Sequence, residues 1–211
     1  MVVLTSREED ELSEPIEFFF DFSSPYGYLA SHRINDLAAK HGRLVIWRPF
    51  LLGAVFQVNG QSALMSQQFK ADYSLLDMTR SARRFDIPLQ MPDPFPVATQ
   101  AAGRIYYWIE DQDKALARQF AKAVYGAYFG DNINIMPKET VAEIAEKIGF
   151  DYEDCICAIN DETYKQRLKD VTIEAMNRNV CGSPFMFVDG EPFWGNDRLE
   201  MVDQWLESGG W

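Results

Sequence analysis

The chain has 211 residues, 47% of them hydrophobic and 14% aromatic, enough to fill one good-sized domain or a domain carrying a large insertion. Its 32 acidic residues against 20 basic ones leave a formal charge of −12, which argues against nucleic-acid or anionic-membrane partners. No apolar run approaches the ~20 residues of a membrane span.

Cys155, Cys157 and Cys181 have neither redox-pair nor zinc spacing, and their odd number suits a reducing compartment. Residues 1–14 are polar and acidic, unlike a secretory signal or a transit peptide. A cytoplasmic protein with a loose N-terminal tail is the expectation.

Residues 16–21 are a short aromatic run and read as a first strand. Residues 25–41 predict one helix, with Leu29, Ile34, Leu37 and Ala38 on an apolar stripe and Gly42 as its stop. Residues 44–47 predict a second buried strand, closed by Arg48 and Pro49. Strand, helix and strand with short joints make a parallel unit with a crossover helix.

After Gly53 the strand signals vanish. Helical patterns occupy residues 66–85, 100–109, 114–129, 138–148, 153–158 and 161–179, separated by joints such as the proline-rich 88–96. Residues 185–188, the turn Asp189-Gly190 and residues 191–194 then read as a hairpin, with Asn196 capping a closing helix over 198–206. The order implies an α/β thioredoxin-like domain, residues 15–60 and 165–211, interrupted by an all-helical insertion domain, residues 61–164.

The strongest chemical signal is Phe20-Asp21-Phe22-Ser23-Ser24-Pro25-Tyr26-Gly27-Tyr28, where a strand runs into a proline-started helix. Such a turn sets a side chain at a helix N-terminus, where free N–H groups favour negative charge. A thioredoxin-like turn carries Cys-x-x-Cys. Here those positions are Ser24, Pro25, Tyr26 and Gly27, so the site keeps a hydroxyl suited to holding a thiolate supplied by another molecule. Ser24 also reads as an ordinary helix cap. Two later features add weight. Ser183-Pro184 starts a strand where this fold uses a cis-proline facing the turn. Gly195-Asn196-Asp197 enters a helix and offers N–H groups to a carboxylate and a carboxylate to an ammonium.

Phe-Asp-Phe-x-Ser-Pro-Tyr-x-Tyr-Leu-Ala, Gly-x-Pro-x-x-Phe and Phe-Trp-Gly-Asn-Asp-Arg-Leu together resemble the 2-hydroxychromene-2-carboxylate isomerase family over residues 15–207. That family is related to the kappa-class glutathione transferases and to DsbA-type disulfide oxidases. The resemblance implies glutathione as cofactor, a small aromatic carboxylate as substrate, and a homodimer. It implies that Ser24 is catalytic and meets the glutathione sulfur, that Ser183 before Pro184 pairs with the cysteinyl unit, and that Asn196 and Asp197 hold the γ-glutamyl end. Gln61 falls near the glutathione. Lys70 and Tyr73 match a Lys-x-x-Tyr on the first insertion helix, where Lys70 meets a carboxylate and Arg80, Arg83 and Arg84 are further candidates. Gln61 replaces an asparagine, Ser81 a tryptophan and Val97-Ala98 a polar pair found in relatives.

The implied reaction is thiolate addition to an unsaturated keto acid, bond rotation and elimination. A glutathione transferase and a redox-inactive peptide-binding adaptor are the other readings of the same residues. A disulfide oxidoreductase is disfavoured because no cysteine lies near the turn.

Overall fold

The computed structural model describes residues 14–211, so all of the acidic N-terminal segment except Glu14 lies outside the described residues. Strand β1 (Ile16–Phe20) is central, and it pairs in parallel with β2 (Val45–Pro49) and antiparallel with β3 (Phe185–Val188). Strand β4 (Glu191–Trp194) closes the sheet in the order β2-β1-β3-β4. The hairpin and the parallel unit are as the sequence predicts.

The period of two along β1 sends its phenylalanines to opposite faces. Phe18 and Phe20 point into the larger core, where they meet Trp47; Phe20 also meets Phe22, Tyr106 and Tyr125. Phe19 points the other way, into a smaller core with Phe50, Val55, Ala175, Val180 and Phe185. Arg48 and Arg178 lie over its ring, at 5.0 and 5.4 Å from the centroid, and both pair with Glu17 and Glu174. The sheet is therefore covered on both sides.

Between β2 and β3 the chain is helical: α3 (Leu52–Asn59), α4 (Gln68–Arg84), α5 (Gln100–Glu110), α6 (Lys114–Tyr125), α7 (Lys138–Glu146), α8 (Tyr152–Asn160) and α9 (Glu162–Asn177). Helices α5 to α9 pack on one another and form the insertion. At Gly103 a Cβ would come within 2.9 Å of Leu168, so α5 and α9 approach closely there.

Four expectations are corrected. The helix over 25–41 is two, α1 (Pro25–Ser31) and α2 (Ile34–Lys40), with Arg33 between them bonded to Glu200 and stacked 3.6 Å from the Phe85 ring. A single apolar stripe cannot reveal so short an interruption. Strand β2 is not buried throughout, because it forms the sheet edge and Leu44 and Ile46 face outward. Its outer carbonyls at Trp47 and Pro49 accept from the hydroxyls of Tyr106 and Tyr107, and Pro49 has no N–H, so the edge is blunted. Helix α3 was not expected, since its uncharged, glycine-containing segment carries no amphipathic pattern. Finally, Asn196 does not cap the closing helix. It lies in a 3-10 turn (Asn196–Arg198) before α10 (Leu199–Ser208), whose first turn has no side-chain cap.

No helix of the described residues is long and apolar enough to cross a membrane. Replacing Phe20 with alanine should cost about 3–5 kcal/mol of stability by urea denaturation, because it is fully buried against the rings of Phe18, Phe22, Trp47, Tyr106 and Tyr125. Ile46→Ala, on the exposed edge, should cost less than about 1 kcal/mol. Equal losses would contradict the edge position of β2.

Candidate active site

Ser24 is buried, extended in backbone (φ −98°, ψ 112°), and caps α1, its Oγ accepting from the Gly27 N–H at 3.0 Å. The same hydroxyl donates to the Ser183 carbonyl at 2.8 Å. Ser183-Pro184 is cis, as the sequence reading expects of a proline facing this turn. Ser24 is thus both a helix cap and the contact between the turn and the cis-proline loop.

Three groups crowd this contact from behind. A Cβ on Gly27 would lie 2.5 Å from the Tyr125 hydroxyl and 3.0 Å from Ser183 Oγ, so only glycine fits. Tyr125 donates to the Asp21 carbonyl at 2.9 Å, and the Asp21 N–H donates to Ser183 Oγ at 3.0 Å. The Asp21 carboxyl is buried and pairs with no cation among the described residues; it accepts from Ser23 N–H and Leu52 N–H, each at 2.8 Å, and from the Thr99 hydroxyl at 3.2 Å. Burial raises its pKa, and those three donors work against the rise.

The front of the site is walled by α4 and by the proline-rich joint. Tyr26 donates to Asp77 on α4 at 2.9 Å. Burial raises the Tyr26 phenol well above its usual range, and Asp77, Tyr73 and Asp197 add to the rise, so all three bear on this ring. In the joint, Asp93-Pro94 and Phe95-Pro96 are also cis. Val97 N–H donates to Ser23 Oγ at 3.1 Å, and Tyr28 and Tyr128 donate to the carbonyls of Pro88 and Pro94.

Most of the expected residues converge. Ser24, Ser183 and Pro184 are in contact, and the Gly195 N–H donates to the Pro184 carbonyl at 3.0 Å, which ties the Asn196 turn to the same loop. That turn packs on α1. Asn196 is buried, and its Oδ1 has no partner among the described residues. Asp197 is exposed and 3.5 Å from Arg198, and Tyr73 is exposed on α4.

The rest are less engaged. Gln61 is exposed and exchanges hydrogen bonds with Asn59. Lys70 is exposed, with no partner among the described residues. Arg80 lies 3.7 Å from Asp77, and Arg84 lies 3.7 Å from Glu200. The cysteines are remote from the turn in sequence; Cys155 is buried, which pushes its thiol up to about 11.

A model of the DSBA-like thioredoxin domain matches residues 15–207. The chain belongs to the DSBA-like thioredoxin family. Within that family it is 31% identical to a 2-hydroxychromene-2-carboxylate isomerase of Pseudomonas sp. (strain C18), over 89% of this chain and 88% of that protein. It is 26% identical to glutathione S-transferase kappa 1 of Caenorhabditis elegans, over 91% and 90%. A solved 2-hydroxychromene-2-carboxylate isomerase superposes with a TM-score of 0.83 at 28% identity, covering 92% of this chain and 94% of that one. This DSBA-like chain thus has a thioredoxin-like scaffold with a helical insertion and carries Ser24 at the turn into its first helix.

Sequence reasoning passed over Asp21, Thr99 and Tyr125. An ionisable residue inside the run Phe18 to Phe22 was a visible signal for the first; nothing local marked the other two. Because Asp21 is raised, the folded protein keeps its proton above the ordinary 3.8 while the unfolded chain releases it. The resulting stabilisation is complete below the ordinary value and is lost as pH rises through the raised one. The stability of the parent relative to Asp21→Asn should therefore fall as pH rises above about 4 in urea titrations. A difference that does not fall above that pH would show that the three donors offset burial and leave the carboxyl unshifted.

Proposed function

We propose that this protein is a glutathione-dependent isomerase of 2-hydroxychromene-2-carboxylate or a similar unsaturated keto acid derived from an aromatic ring. The observation that carries the reading is Ser24: a hydroxyl at a helix N-terminus, in contact with the residue before a cis-proline, where disulfide-exchanging relatives need a thiol. The identity to isomerases over nearly the whole chain supports it.

The residues present suit glutathione. The unpartnered buried Oδ1 of Asn196 is an acceptor beside the cis-proline loop, fitted to the ammonium of a γ-glutamyl end, with Asp197 next to it. Ser183, before Pro184, presents backbone groups to a cysteinyl unit. Bound glutathione supplies a nucleophile that adds reversibly to the conjugated carbon of the substrate, permits rotation about the resulting single bond and leaves unchanged on elimination.

The chain's own part begins with the Ser24 proton. In the free protein it rests on the Ser183 carbonyl. Rotation about the Cβ–Oγ bond turns it toward a sulfur anion, exchanging a neutral hydrogen bond for a charge-assisted one. The α1 N-terminus favours the same charge. Tyr26 stays protonated because burial and Asp77 raise its pKa, so it does not compete as an anion. Lys70 lies two helical turns before Asp77 on the same flank of α4, the flank that reaches Tyr26, and is the cation we assign to the substrate carboxylate. Arg80 is drawn instead toward Asp77.

The kappa-class relative favours a second reading, a glutathione transferase in which the adduct departs. Product analysis separates the two: an isomerised keto acid with glutathione recovered supports the first, and a stable thioether the second.

Calorimetric titration with reduced glutathione should show saturable binding. In the Ser24→Ala variant the ultraviolet thiolate absorbance of the complex should fall, and isomerisation should slow about a hundredfold or more, as when one preorganised donor is removed. Absence of binding at millimolar glutathione, weaker than about −4 kcal/mol, would overturn the proposal.

A further inference from the structure

Strand β2 is an edge of the sheet, and a cleft of about 330 Å³ runs along it. The cleft is walled by the strand from Val45 to Arg48, by α5 and the first half of α6, and by α9. It stands on the far side of β1 from β3, and so away from the Ser183 loop that Ser24 contacts.

Along a paired strand, alternate residues turn their backbone groups to opposite sides. Toward β1, β2 uses the Leu44 carbonyl, which accepts from Ile16 N–H, and the Phe50 N–H, which donates to Phe20. By that alternation the backbone groups of Val45, Trp47 and Pro49 turn outward. The Tyr106 and Tyr107 hydroxyls take the Trp47 and Pro49 carbonyls, at 3.1 and 2.7 Å. The Trp47 N–H keeps no acceptor among the described residues, although Trp47 is buried. Buried donors are ordinarily paired, so this one is short of a partner. Arg48 repeats the shortage: its terminal nitrogens pair with Glu17 and Glu174, and its Nε is buried with no partner among the described residues.

Four cations line the cleft, Arg48, Lys114, Arg118 and Arg167, against one carboxylate, Glu110. Arg48 and Arg167 are committed to acidic neighbours. Lys114 and Arg118 have no ion pair or hydrogen bond among the described residues, and their spacing of four sets them on one face of α6. In a chain of net charge −12, two uncommitted cations at one cleft are a local exception.

We propose that this cleft binds a small organic anion, a carboxylate or phosphate monoester carried on an apolar body. Lys114 and Arg118 meet the charge, the Arg118 fork being suited to two parallel hydrogen bonds. The Trp47 N–H offers a directed donor, and Val45 and Val171 wall the body. The edge itself selects an anion over a further β-strand. A strand brings donors as well as acceptors, whereas the tyrosines have taken two outward carbonyls and Pro49 has no N–H. A group that only accepts suits what is left. The volume is that of the smaller ligand sites. None of these residues belongs to the Ser24 site, so the proposal is independent of the function assigned there.

The test is calorimetric titration of the full chain with two probes, phthalate and phenyl phosphate. Saturable binding of at least one, with a dissociation constant at or below about 1 mM, is expected, and the tighter probe tells carboxylate from phosphate. Lys114→Gln and Arg118→Gln should each weaken binding at least about tenfold, the loss of one charge-assisted hydrogen bond. Neither side chain holds an ion pair, so the melting temperature without probe should not change. Lys70→Gln, at the residue assigned to the substrate carboxylate, should leave the binding as it is. Absence of saturable binding by either probe overturns the proposal. So does binding that Lys70→Gln abolishes and Arg118→Gln spares, which belongs to the Ser24 site. An alternating Val-Glu peptide that binds at least about a hundredfold more tightly than both probes overturns it too, making the edge a strand-docking site.

Discussion

The carboxyl of Asp21 is buried at the end of the central strand, paired with no cation among the described residues, and five separate pieces of chain are bonded to this one residue. Its side chain accepts from the β1–α1 turn at Ser23, the start of α3 at Leu52 and the start of α5 at Thr99. Its backbone reaches the cis-proline loop through Ser183 and α6 through Tyr125. A buried carboxyl left short of donors is costly, so each of these donors is held in place by what the loss of the others would cost. Two of the five, the turn and the Ser183 loop, are the parts that Ser24 joins. The geometry of the proposed site is therefore a consequence of how one acidic group is solvated inside the protein.

Around that point the aromatic residues act as both filling and polar clamps. Tyr106 and Tyr107 close the open edge of β2 by donating to its outer carbonyls, and burial raises both phenols well above their ordinary range, so they remain donors. Tyr28 and Tyr128 do the same for the joint before α5, donating to Pro88 and Pro94. Proline-rich segments lack N–H groups and leave carbonyls to be satisfied by side chains. The helical insertion shares one core with the thioredoxin-like part, and the tyrosine hydroxyls of that core add polar contacts to the joints.

Helix α4 stands apart from this arrangement. It packs on α1, and its polar contacts with the rest of the molecule include Tyr26 to Asp77 and Arg84 to Glu200. It buries Ser74, Met78 and Ala82 and leaves Phe69, Tyr73 and Leu76 exposed. A helix whose first turns bury nothing is only marginally stable by itself, and tertiary packing normally supplies the rest.

Local pattern was sufficient for much of this protein. The aromatic run ending in Ser24-Pro25, the hairpin around Asp189-Gly190 and the helical spacing after Gln100 are read within windows of ten or so residues, because periodicity and turn chemistry are local properties. The same windows located Ser24, Ser183-Pro184 and Asn196. They could not show that the Ser24 hydroxyl is committed to Ser183, that Asn196 leaves an acceptor unpaired instead of capping α10, or that Gln61 turns to Asn59, since each depends on which distant group arrives alongside. The break at Arg33 followed from Phe85 and Glu200, more than fifty residues away or further. What the sequence by itself determined was the order of elements and the type of group at the turn; what only the tertiary structure decided was which polar groups are satisfied by one another and which remain open, because hydrogen-bond partners are fixed by three-dimensional packing and not by spacing along the chain.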